Sequence, residues 1–349
     1  MKRNLWALVF VFPLAMCKTG PSPLDGSKSF ESIADITSDF TIAFGSCNKT
    51  NLPNLLWDDI IATNPDLWIW GGDNIYADTD DPKALRQMYQ AQNRVEGYQK
   101  LKRRVPIIGT WDDNEYGKND GGVEFNAKKE SQGEFFDFIG VAKDDPIRKQ
   151  EGVYSAHEFE KSNGSIKIIM LDTRFFRTAL TSDPSPKKRF KPNAYGLGTL
   201  LGEVQWNWLE TELRESKADF TVIVSSIQVL SNEHGFECWG NFPHEVDRLK
   251  NLLVASKAKG VIMLSGDRHI SEFSGASIPG MAYPLIDFTS SGLTHVYSRF
   301  KNEPNSHRVG TVVAKESFGL LQFDLDQKKV FLSMLGDNGS LYGRLQQTY

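Results

Sequence analysis

Apolar residues in this chain fall into short runs that break into Gly, Asp or Ser within about two residues, as buried strands of an α/β protein do. The runs are Thr41–Phe44, Leu67–Trp70, Val105–Ile108, Ile166–Leu171, Phe220–Val224, Val261–Leu264 and Leu285–Phe288. Between them, Leu52–Ala62, Pro82–Tyr98, Val204–Ser216 and His244–Lys257 place apolar residues three and four apart with charges opposite, which predicts amphipathic helices. Further on, Leu320–Leu325 and Val330–Leu335 predict a hairpin turning at Asp326–Lys329. The class is therefore α/β with mixed sheets. The longest stretch without either periodicity, residues 178–200, carries Lys187, Lys188, Arg189 and Lys191. A loop of that length is more often functional or mobile than idle, although a charge run reads first as a solvated face.

The composition sharpens this picture. With 349 residues, 40% hydrophobic, 22 Phe and 8 Trp, the chain builds a large core without disulfide staples. Disordered, fibrous and disulfide-scaffold classes are excluded. Lys plus Arg number 40 against 44 Asp plus Glu, a net charge of −4, and no nucleic-acid-binding surface is expected. The sequence carries no signal for oligomeric state.

Lys2 and Arg3 followed by the apolar run Leu5–Met16 read as an export signal, since the run is too short to span a bilayer. Leu14-Ala15-Met16-Cys17 resembles the lipobox of bacterial lipoproteins, with Met16 where a small residue is usual. On that resemblance, residues 1–16 are a signal peptide, Cys17 is a lipid anchor to the membrane, 17–38 are a tether, and 39–349 form one domain. The expected location is periplasmic or membrane-anchored; a plain secretory signal is the alternative. Cys47 and Cys238 remain, as one bridge or as small buried residues, unless Cys47 is a ligand.

Polar residues able to hold metal or phosphate follow the predicted strands repeatedly. They are Gly45-Ser46-Cys47, Gly71-Gly72-Asp73 with Tyr76, Trp111-Asp112-Asp113-Asn114-Glu115-Tyr116 running on to Asn119 and Asp120, Asp172-Thr173-Arg174, and Ser265-Gly266-Asp267-Arg268-His269. Ligands bind beyond the carboxyl ends of strands in α/β sheets, so these loops are expected to converge. Any one of them alone is an ordinary turn; their ordered recurrence is the signal.

This series resembles the alkaline phosphatase D (PhoD-like) family of the calcineurin-like metallophosphoesterases. Trp239–Pro243 and Thr289–His295 resemble further signatures of that family. The resemblance implies a four-layer α/β/β/α metallophosphoesterase sandwich and an exported hydrolase of small phosphate esters, monoesters and diesters. It also implies ferric iron with calcium, other divalent metals being alternatives. The metal ligands it implies are Cys47, Asp73, Tyr76, Asp113, Asn119, Asp267 and His269, with Asp73 as the catalytic bridge. Thiolate and phenolate suit trivalent iron, and Asp and Asn oxygens suit calcium. Catalysis implied by the resemblance is in-line attack on phosphorus by a hydroxide that the metals activate.

Arg174 offers a forked donor to phosphate, against which stands an ion pair with Asp172. Gln228 either binds substrate or caps a strand. Asn114 occupies the position of a family His, as a substrate-facing catalytic residue that donates a hydrogen bond but delivers no proton. Two other readings compete: a catalytically weakened protein that binds phosphate or a phospholipid headgroup, and a dedicated phosphodiesterase or phospholipase.

Overall fold

The structure, a computed structural model, describes Ile33 and residues 36–349. The expected signal peptide, Cys17 and all but a few residues of the expected tether lie outside the described residues. One sheet contains Phe40–Gly45 (β1), Leu67–Gly71 (β2), Ile107–Thr110 (β3), Phe318–Asp324 (β13), Lys329–Leu335 (β14) and Leu341–Thr348 (β15), in the order β15-β14-β13-β1-β2-β3. The other contains Ser155–Lys161 (β4), Gly164–Met170 (β5), Phe220–Val224 (β8), Val261–Ser265 (β9), Ser271–Ala276 (β10), Leu285–Ser290 (β11) and Arg308–Val313 (β12), in the order β12-β10-β11-β9-β8-β5-β4. Thr181–Ser182 (β6) and Phe190–Lys191 (β7) form a separate two-stranded hairpin inside the long irregular segment.

Alternation along the strands makes the layers. Phe40, Ile42 and Phe44 of β1 and Leu67 and Ile69 of β2 pack with Phe220, Val222 and Val224 of β8 and Ile262 and Leu264 of β9, filling the space between the sheets. Their neighbours in sequence point outward. Ala43, Trp68 and Trp70 meet helices Trp57–Ala62 (α1), Pro82–Arg94 (α2), Glu96–Lys102 (α3), Asp113–Tyr116 (α4) and Lys128–Ile139 (α5). Ile169, Ile223 and Met263 meet Gly202–Glu215 (α6) and Pro243–Ser256 (α7). The result is the expected α/β/β/α sandwich, with the central strands β1, β2, β8, β9 and β11 buried along their whole length, as strands covered on both faces are. Strands β1, β2 and β3 run parallel, as do β5, β8, β9 and β11, and both sets end at the same edge of the sandwich.

Three expected elements differ from what forms. The helix expected over Pro82–Tyr98 is two, because Val95 is extended (φ −61°, ψ 120°). The strand expected at Val105 begins at Ile107, since the Val105 N–H closes the last turn of α3 on Leu101 O at 3.1 Å and Pro106 has no N–H to give. The helix expected from Leu52 begins at Trp57, because Asn54 Oδ1 takes the Leu56 N–H at 2.9 Å ahead of it. The hairpin of β13 and β14 pairs as expected, from Phe318–Leu335 to Asp324–Lys329. Cys47 and Cys238 are free and buried. Among the described residues no helix is long and apolar enough to cross a membrane.

Candidate metal centre

The strand ends approach one another closely because two glycines permit it. A Cβ on Gly72 (φ 95°) would lie 2.8 Å from Asp112 Cβ and 2.9 Å from Ser226 Cβ, and one on Gly266 would lie 2.6 Å from Ser46 Oγ and 2.7 Å from Gly71 O. Each glycine precedes an aspartate whose backbone is left-handed: Asp73 (φ 49°) and Asp267 (φ 68°). Cys47 (φ 59°) and His269 (φ 55°) share that conformation. For residues with a Cβ it costs about 1 kcal/mol or more each and persists where surrounding structure imposes it. Four of the seven expected ligands are therefore held by bent backbone.

Their side chains meet on Asp73. Its Oδ2 accepts the Cys47 thiol at 3.3 Å and the Tyr76 hydroxyl at 3.0 Å, and Tyr76 Oη lies 3.3 Å from His269 Nε2. Ligand atoms of Cys47, Asp73 and His269 all fall within 4.8 Å of one another, and so do those of Asp73, Asp112 and Asp267. Asn114 Nδ2 donates to Asp73 Oδ1 at 2.8 Å and to Asp113 Oδ1 at 2.9 Å, while the Asp120 N–H holds Asp113 Oδ2 at 2.7 Å. Ser291 fixes the arrangement, with its Oγ 3.0 Å from Cys47 Sγ and accepting the His269 N–H at 2.8 Å. Above this floor opens a cleft of about 520 Å³ lined by Asp73, Tyr76, Asp113, Asn114, Asn119, Asp267 and His269, with Cys47 buried beneath.

The electrostatics of the donor set fit a cation. Burial pushes the Cys47 thiol up to about 11 and Asp267 up to about 7, and holds Asp73 and Tyr76 well above their ordinary ranges, with neighbouring negative charges adding to the last two. Burial also keeps the His269 imidazole below its usual range, so it offers a neutral nitrogen. Asp112 Oδ2 is buried with no hydrogen-bond partner. A cation among these atoms reverses the cost, because ligation favours the deprotonated forms that burial alone disfavours.

Two expected substrate-facing residues lie elsewhere. Arg174 is fully buried behind the centre, its Nε donating to Asp112 Oδ1 at 2.6 Å and its Nη1 pairing with Glu237 Oε2 at 2.6 Å. Asp172 is not its ion partner: Asp172 Oδ1 instead accepts the backbone N–H groups of Arg174 and Phe175 at 2.8 and 2.9 Å. Gln228 is buried, and its Nε2 is spent on Glu272 Oε1 at 2.8 Å and Thr289 Oγ1 at 2.9 Å. Sequence reasoning passed over Asp112 and Ser291. Asp112 immediately precedes the chosen Asp113, and Ser291 stands at the end of β11, so strand-end position was the available signal for both.

The family model described as PhoD-like phosphatase matches residues 42–276. Among solved structures, the one titled "Structure of PhoD" superposes with a TM-score of 0.69 at 17% identity, over 89% of this chain and 69% of that one. A dimetal phosphatase from Danio rerio superposes with a TM-score of 0.53 at 13% identity, over 90% of this chain and all of that one. At these identities the likeness is one of fold. No curated protein sequence matches the chain.

Proposed function

The chain belongs to the PhoD-like phosphatase family and is a metal-dependent phosphatase, and on that premise we propose that it hydrolyses small phosphate monoesters, and diesters where the open cleft admits them, as an exported enzyme using ferric iron with calcium. The observation that carries this reading is the meeting of a thiol and a phenol on one oxygen of Asp73, Oδ2, with the His269 imidazole 3.3 Å from that phenol oxygen. Soft and anionic donors on the Cys47 and Tyr76 side favour iron, and the all-oxygen group of Asp73, Asp112 and Asp267 favours calcium. Export rests on Lys2, Arg3 and the apolar run after them.

Metals bound at this centre supply Lewis acidity toward phosphate oxygens and a water acidified to near neutral pH. The chain supplies the rest. Asp73 sets the spacing of the two donor groups it belongs to. Asn114, on the cleft wall, spends both of its amide N–H groups on Asp73 Oδ1 and Asp113 Oδ1, so it orients those two carboxylates and transfers no proton to a leaving group. Departure of the alcohol then depends on its own acidity, which favours activated esters. The test is elemental metal content of residues 18–349 together with hydrolysis of a chromogenic phosphate monoester and its matching diester at alkaline pH. Iron and calcium with turnover support the proposal; metal without turnover favours the phosphate-binding alternative that Asn114 keeps open.

A further inference from the structure

With Arg174 sealed behind the centre, the cleft needs another forked donor for phosphate, and the structure carries one on the β6–β7 hairpin. Arg189 lines the cleft together with Asp73, Asn114 and His269, and its side chain is 52% exposed. Its backbone is fixed: Arg189 N and Phe190 N both donate to Gly235 O, at 2.8 and 2.9 Å, and Arg189 O accepts the Asp183 N–H at 2.9 Å. Its guanidinium is held across the cleft mouth by an ion pair with Asp120, the residue whose own N–H orients Asp113.

The other cations of the cleft are differently placed. Arg268 is nearly buried, paired with Glu303 at 2.7 Å and seated 4.1 Å over the Phe236 ring. The Lys49 ammonium sits 4.8 Å over the Tyr76 ring and offers a point charge rather than a fork. An exposed ion pair such as Arg189–Asp120 contributes little and is readily exchanged, whereas a guanidinium matches phosphate oxygens bidentately.

We propose that Arg189 is the phosphate-recognition residue of this cleft, parked on Asp120 and transferred to the non-bridging oxygens of the bound phosphate. The assignment rests on the phosphatase reading and names the recognition group within it. A monoester dianion presents more charge to this fork than a diester monoanion does, so Arg189 also sets preference between them.

The test uses metal-loaded protein and inorganic phosphate as the probe, with affinity read by calorimetry and metal content checked in each variant. Arg189→Ala is expected to weaken phosphate binding about tenfold or more, the loss of a charge-assisted pair. Arg189→Lys should restore part of it. Lys187→Ala, which removes an exposed charge from the same hairpin outside the cleft lining, should change binding less than about twofold. Equal effects of Arg189→Ala and Lys187→Ala would overturn the assignment while leaving the phosphatase reading intact, since turnover is measured separately. Absence of phosphate binding by the unsubstituted, metal-loaded protein would overturn both.

Discussion

Arg174 and Asp112 form an ion pair with no exposed surface, Nε to Oδ1 at 2.6 Å, and Glu237 closes it from the other side at 2.6 Å. An arginine at a strand end resembles a phosphate ligand in sequence, yet here it neutralises the buried Asp112 and shares the buried Glu237 with Arg177, whose Nε lies 3.0 Å from Glu237 Oε1. Arg174→Ala should therefore lower unfolding free energy by about 3–5 kcal/mol, the cost of stranding buried charge. Denaturant unfolding measures that loss. In Arg174→Lys, which keeps the charge but not the fork, KM for a phosphate ester should stay within about twofold while the melting temperature falls. A large rise in KM with unchanged stability would return Arg174 to substrate binding.

Asn114 touches both Asp73 and Asp113 on the cleft wall. Replacing it by histidine places a group there that can protonate a departing alkoxide. Asn114→His should raise kcat on alkyl phosphates roughly tenfold or more, within the range of general-acid catalysis. Aryl phosphates, whose leaving groups need no proton, should gain little. Parallel rate measurements on the two ester types check this, and an equal or absent gain on both would count against it.

Asp73 is the shared carboxylate of the centre, and burial together with the charges of Cys47 and Asp113 disfavours its ionised form when no cation is bound. Asp73→Asn should abolish turnover, roughly a hundredfold loss or greater, because the remaining donors lose their common anion. In the presence of chelator the same variant should melt at a higher temperature than the unsubstituted chain, since a costly buried charge is gone. Calorimetric scans with and without chelator separate these effects.

Asp287 lies away from the cleft, accepting the N–H groups of Val229 and Leu230 at 2.8 and 2.9 Å and the Ser265 hydroxyl at 2.8 Å. Burial raises its carboxyl from the ordinary 3.8 to about 6. Its contribution to stability is thus complete below about pH 4 and is lost as pH rises through 6, a difference of about 3 kcal/mol. Asp287→Asn should flatten the dependence of stability on pH between 4 and 7 by that order. Unfolding titrations of the two proteins at several pH values provide the comparison.

What the sequence revealed and what it hid have distinct physical causes. The convergence of Asp73, Tyr76, Asp113, Asp267 and His269 was legible because each lies in the loop that leaves the carboxyl end of β2, β3 or β9, and those strand ends share one edge. Arg174 was misplaced because its fate depends on Glu237, which is brought to it only by the packing of distant loops. Gln228 was misplaced for the same reason, its partners Glu272 and Thr289 lying on β10 and β11. β4 escaped notice because Ser155–Lys161 is an edge strand with a largely wet face and too few apolar positions to show a period. The break at Val95 was invisible because apolar spacing continues through it at Tyr98 and Leu101, both buried in the same layer as α2.

The left-handed backbone at Cys47, Asp73, Asp267 and His269 has a consequence for ion choice. Loops already committed to one geometry have little freedom to contract around a small ion or relax around a large one. Selectivity at such a centre comes from the match between ionic radius and a preset group of donors rather than from raw affinity, which would rank copper first among the first-row divalent ions at almost any open set of nitrogen, sulfur and oxygen atoms. The polypeptide meets the cost of shaping the site while it folds, and an arriving metal finds its coordination sphere prepared.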